Sequence, residues 1–232
     1  VKDKRKVAAF YLNEKTNKWE YVGGTYNNGA VTFKTNHFSK YAVLALDKTF
    51  TDVKSHWAKD EIEVLASRLI TSGKTATTFA PGQKLTRAEF AVLLVRALNI
   101  PLDEYKGIFP DVTEKKAWAV QHVEAAYRTG IIKGDLKGYF NPDEEITREQ
   151  MAAMIVRAID YKQPELLTGL KLDRPFADQA RVNDYAQTAV LQAAALGIIK
   201  GRAGNIFDPK ADTTRAEAAV MLYRLLDKLG EF

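Results

Sequence analysis

Three stretches decide how this chain reads: Leu85-Thr86-Arg87-Ala88-Glu89-Phe90, Ile146-Thr147-Arg148-Glu149-Gln150-Met151 and Thr213-Thr214-Arg215-Ala216-Glu217-Ala218. In each, a threonine precedes a Glu or Gln by three residues, the pairing of a capping box, which predicts a helix starting at the arginine. By that logic the arginine is out of place. A cation at the first helical position faces the positive end of the helix dipole and costs about 0.3–1 kcal/mol. A small cost repeated three times points to a use.

Working outward, the spacing is fixed. Phe79, Phe140 and Phe207 each precede a motif arginine by eight residues and follow Trp57, Trp118 or Tyr185 by twenty-two. Phe50-x-Asp52, Phe109-x-Asp111 and Phe176-x-Asp178 open the copies, and Pro81, Pro142 and Pro209 follow the second Phe. Gly73, Gly134 and Gly201 stand six residues before that Phe, which suggests a positive-φ turn or a close approach to the backbone. The motif arginines are 61 and then 67 residues apart, and the extra residues, notably Lys162 to Arg174, belong in surface loops.

Within each copy, apolar residues recur at three-and-four spacing. Ala58, Ile62, Leu65, Ala66 and Leu69 predict a first helix in copy one, Ala119, Val123 and Ala126 in copy two, Ala186, Val190, Ala193 and Ala194 in copy three. Gly130 and Gly197 end that helix in copies two and three, whereas copy one has Leu69 there and is expected to close differently. The capped second helix has its own apolar face, as in Phe90-Leu93-Leu94-Ala97. A lone helix pair cannot bury its stripe, so three pairs imply a mainly α fold, closed in a pseudo-threefold bundle rather than an open superhelix.

Residues 1–50 read differently. Val7–Leu12, Trp19–Val22, Ala30–Phe33 and Tyr41–Leu46 are β-type runs separated by turn residues such as Asn27-Asn28-Gly29. They predict a small antiparallel β segment, the end of a larger β domain or a piece packed on the helices. Its aromatics are expected in the core and receive no site. The domain reading is residues 1–48 for the strands, then 49–107, 108–172 and 173–232 for the three repeats.

Charge narrows the function. Nine of the 34 basic and four of the 29 acidic residues lie in residues 1–50, which leaves 25 of each beyond, so the repeat region carries no basic stripe for nucleic acid. No apolar run reaches the ~20 residues needed to cross a bilayer. A chain opening on Val1 reads as an excised fragment. With no cysteine, thiolate metal sites and a Cys nucleophile are excluded. His37, His56 and His122 are scattered, and the acidic neighbours Asp60-Glu61 and Asp143-Glu144-Glu145 neither repeat nor straddle a cleft, so neither catalysis nor a metal is expected.

The series Phe-x-Asp-Val, Trp-Ala, Gly-Ile-Ile-Lys-Gly, Phe-x-Pro and Thr-Arg-Ala-Glu resembles the S-layer homology repeat over about residues 50–228. That resemblance implies a secreted module at a Gram-positive cell surface, holding its parent by non-covalent binding to secondary cell wall polysaccharide. Pyruvate ketals on N-acetylmannosamine would be recognised in grooves between neighbouring repeats. The family's key arginine falls on Arg87, Arg148 and Arg215. Departures occur at Glu149-Gln150 for Ala-Glu, at Tyr185 for Trp, at Gln179 after Asp178, and in the Lys74–Thr78 loop.

The candidate carbohydrate-binding residues are therefore Arg87, Arg148, Arg215, Trp57, Trp118, Tyr185, Gly73, Gly134, Gly201, Asp52, Asp111 and Asp178. A ketal carboxylate would meet open amides at the helix start and the planar arginine fork, while the aromatics stack on sugar or pack as core. Asp52, Asp111 and Asp178 are expected to cap the first helix or shape its lead-in. The partner is the wall polysaccharide, with no cofactor, nucleic acid or membrane. The alternative is a self-assembly module in which the arginines pair with those aspartates or hold a neighbouring loop.

Overall fold

The computed structural model describes residues 2–35, 38–102, 104–173 and 175–232, with Glu114 described by its backbone alone. His37, and Arg174 at the end of the insertion between copies two and three, lie outside the described residues. The described residues form a small antiparallel β segment and six α-helices. It divides into two units, Val1–Gln83 with Arg96–Asn99 and Arg215–Phe232, and Lys84–Val95 with Ile100–Thr214. Among the described residues no helix is long and apolar enough to cross a membrane.

In the first unit, β1 (Val7–Asn13) is the central strand, flanked by β2 (Lys18–Gly23) and β5 (Tyr41–Ala45), both antiparallel to it. β3 (Thr25–Asn27) and β4 (Ala30–Thr32) form a separate hairpin. Its turn places Asn28 at φ 47° and Gly29 at φ 86°, the left-handed pair for which an Asn-Gly sequence is suited. The expected core aromatics divide: Phe10 and Tyr21 are buried and meet edge to face, whereas Trp19 is exposed.

Helix α1 (Lys59–Ser67) buries Ile62, Val64, Leu65 and Ala66 and packs against α6 (Arg215–Lys228). Directly after α1 comes Arg68, fully buried. Its guanidinium donates to the carbonyls of Arg5, Val7, Gly24 and Glu231 and to the Tyr21 hydroxyl, under the ring of Phe232. One side chain thus ties the β segment and the C-terminal tail to the first helix.

Copy one was expected to close its first helix differently, and it does not. Leu69 takes φ 59°, the conformation that Gly130 and Gly197 adopt at φ 75° and 72°. A side chain in this region costs about 1–2 kcal/mol, and the buried residues on either side of Leu69, Arg68 and Ile70, hold it there.

The second unit contains the start of α2 (Arg87–Ala97), then α3 (Val120–Arg128), α4 (Arg148–Lys162) and α5 (Asp184–Ala195). Its centre is a closed ring of three backbone hydrogen bonds. The Leu85 amide donates to the Thr213 carbonyl, Thr213 to Ile146 and Ile146 back to Leu85, at 2.9–3.1 Å. These residues immediately precede the three motif threonines, and all three are buried. The motif segments are therefore zipped to one another before their helices begin.

Candidate functional site

Thr86 and Thr147 perform as the spacing predicts. Thr86 accepts from the Glu89 amide while Glu89 accepts from the Thr86 amide, and Thr147 with Gln150 makes the same reciprocal pair. The next two amides are not open. Arg87 and Ala88 donate to Glu144 and Pro142, Arg148 and Glu149 to Ala211 and Pro209, and Arg215 and Ala216 to Gln83 and Pro81. The expectation of free helix-start donors is corrected here. Buried amides must be satisfied, and the loop of the next copy supplies the carbonyls.

The same loop explains the arginines. Arg87 Nε donates to the Phe140 carbonyl at 2.9 Å, Arg148 Nε to Phe207 at 2.7 Å and Arg215 Nε to Phe79 at 3.0 Å. Each guanidinium also lies over the ring of that same phenylalanine, 5.0, 5.2 and 4.4 Å from its centroid. A carbonyl bond and a cation–π contact offset the small dipole penalty. Each arginine thus holds the neighbouring loop, and Asp111 and Asp52 act electrostatically on Arg87 and Arg215.

The opening phenylalanine stacks beneath this contact. Phe50 meets Phe79, Phe109 meets Phe140 and Phe176 meets Phe207, with centroids 5.2–5.5 Å apart. Under them lie the repeated glycines, and none has positive φ. A Cβ at Gly73, Gly134 or Gly201 would come within 2.6, 2.8 or 3.0 Å of the opening ring. The repeated glycine is thus a close-approach glycine, and what approaches is the chain's own phenylalanine.

Asp52, Asp111 and Asp178 do not cap the first helices, whose N-caps are Ala58, Ala119 and Asn183. Each carboxylate instead accepts two consecutive amides in the second-phenylalanine loop: Phe79 and Ala80, Phe140 and Asn141, Phe207 and Asp208. The second residue of each pair is left-handed, with φ 61°, 57° and 58°. That turn aims two successive N–H groups at one anion. Burial works against the charge on Asp52 and Asp178, but the paired amides outweigh it and hold both below the ordinary carboxylate range.

The aromatic positions are surface features. Trp57, Trp118 and Tyr185 are 64%, 49% and 52% exposed, so the core reading of these three is corrected. The arginines differ among themselves. Arg148 and Arg215 are 3% and 8% exposed, and each gives an Nη as well, to the carbonyls of Lys200 and Ser72. Arg87 is half-buried, and among the described residues its Nη groups make no hydrogen bond. Burial lowers its affinity for the proton, opposed by Glu144, Tyr185, Asp111 and Asp135. The loop whose Glu144 carbonyl receives the Arg87 amide lines an open pocket of about 260 Å³ with Asp111, Asn141, Pro142, Asp143 and Glu144.

Copy two carries a further residue that the sequence showed only as a departure. Glu149 stands where the other copies have the buried Ala88 and Ala216, and it is itself 2% exposed. Its carboxylate accepts from the Asn183 amide and side chain at 3.0 and 2.8 Å, from the Tyr185 hydroxyl at 3.3 Å and from Lys210 at 2.7 Å. Burial pushes the Tyr185 hydroxyl up to about 12, reinforced by Glu149 and opposed by the charges of Arg87 and Arg157.

The S-layer homology domain model matches three times, at residues 49–91, 108–152 and 175–219. An amylopullulanase of Thermoanaerobacterium thermosulfurigenes is 47% identical over 98% of this chain, and an exoglucanase of Acetivibrio thermocellus 40% identical over 97%. An S-layer protein of Bacillus thuringiensis subsp. finitimus is 33% identical over 81%. The chain spans 12%, 20% and 22% of the length of these relatives, and the two enzymes match it through their S-layer homology region. At 97–98% coverage, the β segment is shared with the enzyme relatives too. This chain belongs to the S-layer homology domain family, the secreted modules that anchor surface proteins and surface enzymes at the bacterial cell wall.

Proposed function

We propose that the chain anchors its parent by binding secondary cell wall polysaccharide in grooves between successive copies, with a pyruvate ketal as the charged group recognised. Each groove would combine a motif arginine, the loop it holds and an exposed aromatic. The observation that carries this is the Arg87 face. There the open half of a guanidinium fork stands beside the Phe140–Glu144 loop and within the electrostatic reach of the half-exposed Tyr185. A fork of this kind matches a carboxylate in two places, and an aromatic ring covers the apolar face of a sugar.

The remaining candidates contribute at one remove. Asp52, Asp111 and Asp178 hold the loops through their amides, and Gly73, Gly134 and Gly201 let the phenylalanine stack form beneath them. Domain limits at 1–48, 49–107, 108–172 and 173–232, and a pseudo-threefold setting of the helix pairs, belong to the same proposal and are supported by the ring of Leu85, Ile146 and Thr213. Three weak grooves on one chain would act together through effective concentration.

The test is co-sedimentation with purified wall sacculi. Wild type is expected to pellet, and to stay in solution with sacculi stripped of the secondary polysaccharide. Arg87→Ala should weaken retention about tenfold, one charge-assisted bond. Equal retention on stripped sacculi would refute the glycan assignment. A self-assembly module with structural arginines is the second reading, favoured by the burial of Arg148 and Arg215. It requires concentration-dependent oligomers without any polysaccharide, read by size-exclusion chromatography.

A further inference from the structure

Two departures from the repeat pattern, Glu149 for alanine and Tyr185 for tryptophan, lie 36 residues apart in sequence and meet in space. A buried carboxylate at a position that is otherwise alanine is costly unless it is fully engaged. Glu149 is engaged four times, and three of those contacts come from the start of α5. Asn183 is the N-cap of α5, yet its side chain makes no cap bond and donates to Glu149 instead. Tyr185 is the second residue of that helix, and its hydroxyl donates to the same carboxylate oxygen that receives Lys210. The start of α5 is therefore fixed by α4 through one side chain.

Tyrosine differs from tryptophan in having a smaller ring and a terminal hydroxyl that seeks a partner. Left in solvent, that ring would swing about its side-chain bonds. With the hydroxyl held 3.3 Å from Glu149, the ring is restrained at the start of α5, where the charges of Arg87 and Arg157 both act on it. We infer that Glu149 is a positioning residue for the Arg87 face: by holding the Tyr185 hydroxyl it makes tyrosine serve as the fixed aromatic wall against which a sugar ring of the wall glycan lies. The face then draws on all three copies, with Arg87 from the first, the Phe140–Glu144 loop from the second and Tyr185 from the third. This inference rests on the glycan-binding reading above, and goes beyond it by assigning a role to a residue that touches no ligand.

The experiment replaces the pair by the chemistry of the other copies. Glu149→Ala should reduce retention on wall sacculi about tenfold. Adding Tyr185→Trp to it recreates the alanine–tryptophan combination and should recover retention to within about threefold of wild type. Equal losses in the single and double variants, or no loss in Glu149→Ala, would overturn the inference. A second readout needs no glycan. In a tyrosine ring titration followed by NMR, the Tyr185 hydroxyl should ionise at lower pH in Glu149→Gln than in wild type, and an unchanged titration would show that Glu149 does not hold it. If wild type fails to bind sacculi, the glycan reading falls, and the titration still decides the positioning claim.

Discussion

Arg87 and Arg148 occupy the same place in successive copies, follow the same capping threonine and donate Nε to the same kind of phenylalanine carbonyl. Their surroundings separate them. Arg148 is buried and spends a second nitrogen on Lys200, whereas Arg87 is half-buried with its Nη groups making no hydrogen bond among the described residues. One motif position therefore sits in two surroundings, buried in copy two and half-open in copy one. The lesson is that a repeated residue need not have a repeated role.

The largest expected effect comes from removing the buried member. Arg148→Ala leaves the carbonyls of Phe207 and Lys200 without their donor and opens a void over the Phe207 ring, at a cost of about 2–4 kcal/mol, read as a lower midpoint in denaturant. Arg87→Ala should cost about 1 kcal/mol, because a single carbonyl loses its donor and the half-buried site lets water take the place of the side chain. Equal losses in the two variants would erase the distinction.

The glycines sharpen the same comparison between copies. A methyl at Gly73 would lie 2.4 Å from the Thr75 carbonyl and 2.6 Å from the Phe50 ring, whereas at Gly201 its nearest contact is 3.0 Å from the Phe176 ring. Gly73→Ala should therefore destabilise by about 2–3 kcal/mol and Gly201→Ala by about 1 kcal/mol or less, in thermal melts of the two variants. The reverse order would mean that the stack of rings is not what fixes these positions.

A smaller effect of opposite sign is expected at the central ring. Thr213 is fully buried, and its hydroxyl has no hydrogen-bond partner among the described residues, while Leu85 and Ile146 fill the matching places with hydrocarbon. Thr213→Val keeps the shape and removes the orphaned group, so it should stabilise by about 1 kcal/mol. A loss instead would mean that the hydroxyl is engaged.

Much of this architecture was legible in the sequence because it is written in spacing. The helix starts at Thr86 and Thr147, the β segment with its Asn28-Gly29 turn and the buried Phe79, Phe140 and Phe207 all follow from local patterns. What was illegible is what the neighbouring copy does. Free amides were expected at the helix starts because a single segment cannot show that carbonyls 50 or more residues away will meet them. The aspartates, expected to cap the first helix or shape its lead-in, make their bonds to a loop 27–30 residues further on. Arg68 has no counterpart in the repeats, so no pattern marked it. Glu149 and Tyr185 were visible only as two unrelated exceptions.

The account turns on whether the open arginine face receives a negatively charged sugar. Calorimetric titration of the intact chain with pyruvylated N-acetylmannosamine, against the same sugar without the ketal, tests this most directly. Binding of the ketal-bearing sugar alone, weakened about tenfold in Arg87→Gln and little changed by Arg148→Lys, is the predicted result. Equal affinity for both sugars, or binding indifferent to Arg87, would contradict it.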